Sequence, residues 1–135
     1  MVYLTRKEHF NAAHRLYQKN WTPEKNEEVF GICANPNYHG HNYELWVTVK
    51  GDPEPETGFI INARTLSKII QKEVVDRFDH KNLNVDIPEF EEIQPTTENF
   101  AKLIWSILEP HLPEKMLYSV RLQETENIYT EYFGD

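Results

Sequence analysis

Residues 41–51, HNYELWVTVKG, alternate with a period of two: Tyr43, Leu45, Val47 and Val49 against Asn42, Glu44, Trp46 and Thr48. Successive side chains of extended backbone point to opposite faces, so this pattern specifies a strand with one buried face. The strand opens with His39-Gly40-His41. Positions i and i+2 of a strand share a face, so both imidazoles can reach one ion. The glycine between them lets other groups approach the backbone closely.

Around this strand the sequence orders itself simply. Residues 2–16, VYLTRKEHFNAAHRL, are extended in character and carry His14 near their end. A polar stretch of about 20 residues follows, punctuated by Pro23, Gly31 and Pro36, and Tyr17, Trp21 and Phe30 favour an ordered loop. After the turn DPEPETG, the residues Leu66, Ile69, Ile70, Val74 and Phe78 form one helical stripe. A second helix begins after Pro95, with Thr96 or Thr97 as cap, and buries Phe100, Leu103, Ile104, Ile107 and Leu108 before Pro110 and Pro113 end it. The tail reads as two strands joined near Glu126-Asn127. The order ββααββ predicts an α+β domain, an antiparallel sheet with helices on one face, over residues 1–135. Its two sheet edges must be covered or paired with another subunit.

Composition excludes several functions. With 22 acidic against 14 basic residues and a formal charge of −8, the protein is a poor nucleic-acid binder, because such affinity rests on neutralising phosphates. No apolar run approaches the roughly 20 residues a bilayer requires, so no membrane span is expected. The N-terminus lacks the apolar core of a signal peptide. One cysteine makes no internal disulfide, which points to a reducing cytoplasm.

Four groups of residues could carry chemistry. His39, His41 and His14 supply three neutral nitrogen ligands, enough for an open zinc site; the alternative is a pair of solvent-facing strand histidines. Cys33 could be a fourth ligand closing that site, or a thiolate base beside it with its pKa lowered by positive charge; spacing does not choose. Asp79-His80 places an acid beside an imidazole after the first helix, but sequence neighbours rarely face each other, and a loop or cap motif is the simpler reading. Glu124 is one of three glutamates in the final hairpin, and an inward carboxylate there could accept two parallel hydrogen bonds from an amino-pyrimidinone edge. Arg6, Lys7, Arg15, Lys25 and Lys81 are undistinguished candidates for binding a polyanion, and His9 and His111 have no evident role.

Taken in order, FNAAHRLY, FGICANPNYHGHNYELWVTVKGD, TGFIINARTLSKII, DHKNLN, PTTENFAKLIW and ETENIY span nearly the whole sequence. Together they resemble the 6-pyruvoyl tetrahydropterin synthase family of tunnelling-fold enzymes. The five residues between Cys33 and His39 match the pyruvoyl-forming type; the related 6-carboxytetrahydropterin synthases typically have a shorter spacing there and often Asp where Asn62 stands. The resemblance implies a four-stranded antiparallel sheet with two helices, three such sheets closing a twelve-stranded barrel and two trimers stacking into a hexamer. It implies Zn2+ on His14, His39 and His41, Cys33 as catalytic base, and Asp79 and His80 completing a proton relay from the neighbouring subunit. It places Glu124 on the pterin ring with Thr96 and Thr97 near it. The implied reaction turns 7,8-dihydroneopterin triphosphate into 6-pyruvoyl-tetrahydropterin with loss of triphosphate. The alternatives are a 6-carboxytetrahydropterin synthase acting on the same substrate, or a non-catalytic zinc- or pterin-binding module.

Overall fold

The structure, a computed structural model, describes residues Met1–Asp135. In sequence order it runs β1 (Val2–His14), α1 (Pro23–Phe30), β2 (His39–Gly51), α2 (Ala63–Ile70), α3 (Asp76–Phe78), β3 (Lys81–Asn82), α4 (Leu83–Asp86), α5 (Thr97–Leu108), β4 (Leu117–Thr125) and β5 (Ile128–Tyr132). One wider π turn, Gln71–Val75, joins α2 to α3. The strands form a single mixed sheet in the order β3-β1-β2-β4-β5.

β1 and β2 pair antiparallel without interruption from Val2↔Gly51 to His14↔His39. The alternation of β2 is realised as expected: Tyr43, Leu45, Val47 and Val49 are buried, and the residues between them are not. Against this face lie Leu66, Ile70, Val74 and Phe78 from the first helical run and Phe100, Ile104 and Leu108 from α5, all fully buried. Burying a side chain of this size stabilises the fold by about 1.5–3 kcal/mol. Four rings lock the centre: Phe10 stacks on Tyr43 at 5.3 Å, and Phe100 meets Tyr43 at 5.4 Å and Phe78 at 4.9 Å edge-on. The opposite face carries cation–aromatic pairs, Lys7 on Trp46 and Arg121 on Tyr129.

Two features depart from the sequence reading, and a third lies outside it. The sheet has five strands, not four, and is mixed, because β3 pairs parallel to β1 through Ala12↔Lys81 and Ala13↔Asn82. Two residues are too few for a periodic signal, and Asn82 belongs equally to the next element, its side chain accepting from the Asn84 and Val85 amides to cap α4. The polar stretch after β1 holds a helix, α1, with Thr22 accepting from the Lys25 amide at 3.1 Å and Pro23 in the first turn. α1 is mostly exposed, so no apolar stripe announces it. Finally, Glu8 of β1 faces the helices and is only 8% exposed, held by Arg6, Ser67 and Gln71 at 2.9, 2.8 and 2.6 Å.

Candidate metal centre and active site

Strand register builds the site. His14 is the partner of His39, and His41 lies opposite Ala12, so the ends of β1 and β2 bring three imidazoles together. Their ring centroids are 4.6, 4.9 and 5.0 Å apart, and one nitrogen from each lies within 4.8 Å of the others. His14 is 1% exposed, and its Nδ1 meets the Pro95 carbonyl at 2.7 Å. A carbonyl only accepts, so Nδ1 carries the proton and Nε2 keeps its lone pair, the usual arrangement of a metal-bound histidine. Burial lowers the pKa of His39 and of His41, which keeps those rings neutral and able to ligate. Nδ1 of His39 is buried without a hydrogen-bond partner, an arrangement suited to holding a cation. Three neutral imidazoles at the end of a rigid sheet fit zinc.

Glu124 enters from β4 on the same face. Its Oε1 lies 3.3 Å from His14 Nε2 and 3.5 Å from His41 Nε2. Where His14 carries a second proton on Nε2 it donates to this oxygen, and that bond, followed by imidazolium charge, lowers the Glu124 carboxyl below the usual range despite burial. Beneath the cluster Tyr43 is fully buried, and burial followed by the Glu124 charge keeps its phenol neutral.

Cys33 sits in a short 3-10 turn, Gly31–Ala34, after α1. Two bonds tie this turn to the residues following His14. The Leu16 amide donates to the Cys33 carbonyl at 2.8 Å, and Arg15 Nη2 donates to the Ala34 carbonyl at 2.9 Å with its guanidinium flat on Tyr17. The thiol is free and half-buried, and it does not belong to the set of three close nitrogen donors. Burial pushes it up and the Glu124 carboxylate adds to this, the reverse of the lowering expected from positive neighbours. A cation on the imidazoles acts in the opposite sense.

Asp79 and His80 do bond to each other, against the simpler reading of this pair. His80 Nδ1 lies 2.9 Å from Asp79 Oδ2, while Asp79 Oδ1 accepts from the Asn11 amide at 3.0 Å. The His80 amide returns to the Asn11 carbonyl at 2.7 Å. What turns the neighbours face to face is the backbone: His80 has φ 61, the left-handed region that most side chains avoid. The Asn11 amide, then His80, holds the Asp79 carboxyl low. No hydrogen bond joins this pair to Cys33 within one subunit.

Thr96 caps α5 by accepting from the Asn99 amide, and Thr97 is buried with its hydroxyl on Glu98 at 3.1 Å. Among the basic candidates Arg6 is bound to Glu8, Lys7 to Glu44, and Lys25 lies over Trp21. Lys81 shares a cavity with His41 and His80. Arg15 lines the largest cavity, about 960 Å³, with Lys19, Trp21 and Ile32. His111 pairs with Glu73 at 3.4 Å, away from the site. Sequence reasoning missed the Pro95 carbonyl and the Asn11 backbone clamp, since main-chain groups carry no residue signature.

The 6-pyruvoyl tetrahydropterin synthase family model matches residues 3–135. The 6-pyruvoyl tetrahydrobiopterin synthases of Pongo abelii and Dictyostelium discoideum are 44% and 42% identical to this protein, aligning 98% and 99% of it with 91% and 97% of their own lengths. The 6-carboxy-5,6,7,8-tetrahydropterin synthase of Bacillus subtilis is 30% identical, over 92% of this sequence and 80% of that one. The solved Caenorhabditis elegans 6-pyruvoyl tetrahydropterin synthase superposes with a TM-score of 0.93 at 34% identity, covering 99% of this protein and 96% of that one. With alignment from end to end, on the fold and cluster described above, the protein belongs to the 6-pyruvoyl tetrahydropterin synthase family.

Proposed function

We propose that the protein is a zinc-dependent 6-pyruvoyl tetrahydropterin synthase, a carbon–oxygen lyase that converts 7,8-dihydroneopterin triphosphate into 6-pyruvoyl-tetrahydropterin and triphosphate. The observation that carries the reading is the convergence of three imidazoles at one sheet end, with the Cys33 carbonyl tied to the Leu16 amide just beyond them. Loss of triphosphate needs no external redox partner, because the side-chain hydroxyls are oxidised while the pterin ring is reduced.

His14, His39 and His41 would hold the zinc, which when bound supplies the Lewis acidity that makes C–H bonds of the substrate's hydroxylated arm removable. Cys33, as thiolate, takes the proton from a carbon of that arm. Asp79 fixes His80 through Nδ1, which leaves Nε2 free to hold and return protons during the tautomerisations. Since His80 is 76% exposed and unconnected to Cys33, the relay serves the site of a neighbouring subunit. Exposed apolar side chains at Val29, Ile32, Phe59, Val85 and Ile93 support burial between subunits, in trimers whose sheets close a barrel and which pair into a hexamer. Thr96, Thr97 and Glu124 border the pterin, and the Arg15–Lys19 cavity is the best placed to receive the triphosphate. Residues 1–135 act as one catalytic unit, and the lone free thiol suits a reducing cytoplasm.

Five residues between Cys33 and His39 favour the pyruvoyl over the carboxy product. Incubating pure protein with dihydroneopterin triphosphate and identifying the pterin by mass tests this directly. A 6-pyruvoyl product is expected; release of acetaldehyde with a 6-carboxy pterin would assign the protein to the rival reaction, and no turnover would leave a binding module.

A further inference from the structure

We infer that Asn84 and Gln94 are positioning residues for the Cys33 thiol, acting through the segment Arg15–Gln18 that both of them hold. The inference rests on the reading of Cys33 as the base that takes a proton from the substrate's arm. After His14 the sheet offers β1 no further partner, since β2 begins at His39 and β3 pairs only with Ala12 and Ala13. Side-chain carboxamides take over where the strands stop. The Arg15 amide donates to Asn84 Oδ1 at 2.8 Å, and Asn84 Nδ2 donates back to the Arg15 carbonyl at 3.0 Å. Two residues on, the Tyr17 amide donates to Gln94 Oε1 at 3.2 Å, and Gln94 Nε2 donates back to the Tyr17 carbonyl at 2.7 Å. One carboxamide carries both a donor and an acceptor, so each reproduces the two-bond exchange between paired residues of antiparallel strands.

The residues between them bond to other elements. The Leu16 amide donates to the Cys33 carbonyl at 2.8 Å. The Gln18 amide donates to Asn26 Oδ1 of α1 at 2.8 Å, and Asn26 Nδ2 donates to the Gln18 carbonyl at 3.0 Å. Arg15 adds a further tie through its bond to the Ala34 carbonyl, next to Cys33. The segment is therefore a bridge: Asn84 and Gln94 hold it on one side, and on the other hang the turn that presents the thiol and the helix that precedes this turn. The two anchors are themselves fixed. The Asn84 amide donates to Asn82 Oδ1 at 3.0 Å, and the Gln94 carbonyl accepts from Asn99 Nδ2 of α5 at 3.0 Å. Proton abstraction is sensitive to such placement, because displacing a reacting group by about 1 Å costs on the order of 100-fold in rate.

The test uses the full-length, zinc-loaded protein with dihydroneopterin triphosphate, and iodoacetamide as a probe of the thiol itself. Asn84→Ala and Gln94→Ala are expected to lower kcat by about 10–100-fold with KM and zinc content unchanged. In both, Cys33 should alkylate faster than in the parent as its turn loosens. Gln94→Glu keeps the size and the acceptor but loses the donor to the Tyr17 carbonyl; it guards against misfolding and should fall between Gln94→Ala and the parent. Glu8→Ala, which removes three hydrogen bonds outside this segment, should alkylate at the parental rate. Parental kcat in both alanine variants, or a lower kcat with alkylation no faster than in Glu8→Ala, would overturn the inference while leaving the proposed function intact. A parent without turnover would overturn that function and the inference together.

Discussion

His14 and the Asp79–His80 pair both depend on the last few residues of β1, yet His14 is 1% exposed and His80 is 76% exposed. The imidazole cluster faces the core, on the β2 side of the strand, where thirteen consecutive residue pairs and the Pro95 carbonyl hold it. The Asp79–His80 pair hangs from the other edge of β1, fixed through one residue's amide and carbonyl, Asn11, and through a left-handed backbone at His80. One region is finished within a single subunit; the other is oriented but faces outward. On the function proposed above, the contrast makes metal binding a property of the folded subunit and proton transfer a property of the assembly.

The strongest challenge to that contrast is His39→Ala. It should abolish stoichiometric zinc binding and lower turnover by a factor on the order of 10³ or more, checked by metal analysis beside steady-state kinetics. Cys33→Ala should instead keep the zinc and lose turnover by about 10²–10⁴-fold. If Cys33→Ala also empties the site, the thiol is a ligand and the division fails.

Subunit mixing sharpens the other half. Co-expressed Cys33→Ala and His80→Asn subunits, each inactive alone, should recover up to about a quarter of parental turnover, since a random mixture pairs two intact halves in that fraction of sites. No recovery would mean that thiol and relay act within one subunit.

The smallest effect concerns the scaffold beneath the first helical run. Burial alone would raise the Glu8 carboxyl, but hydrogen bonds from Ser67, Arg6 and Gln71 outweigh it and hold the group low. Glu8→Ala should cost about 2 kcal/mol in denaturant unfolding at neutral pH without changing zinc content. A carboxyl lowered by folding contributes stability above its ordinary value and loses it as pH falls through the folded value. The gap between parent and variant should therefore narrow in acid; a gap that widens would assign the proton to the wrong state.

Much of this architecture was legible because it rests on periodicity. The apolar row of β2, the stripe from Leu66 to Phe78 and the capped helix after Pro95 each repeat a signal over several residues. The histidines were legible as a set, but their meeting depends on register, and nothing in one strand states which residue of another it will face. Elements without repetition stayed hidden: β3 is two residues, the π turn is one irregular turn, and α1 is too polar to show a stripe although Thr22-Pro23 marks its start. Glu124 was assigned to the pterin by resemblance, and its place against two imidazoles emerged only from the packing of β4 on β2.

The bond from His14 to the Pro95 carbonyl has a consequence for how the protein is made. Its partners are 81 residues apart, and the same turn starts α5 by way of the Thr96 cap. Contacts so distant in sequence form only after most of the polypeptide has collapsed, because their loop-closure cost is met last. During synthesis the β1–β2 pair can emerge with all three histidines in hand but with His14 free to turn either nitrogen inward. On the proposed zinc reading, high-affinity capture waits until residues beyond Pro95 have been made and docked, so a metal would enter a nearly finished fold and help to seal it.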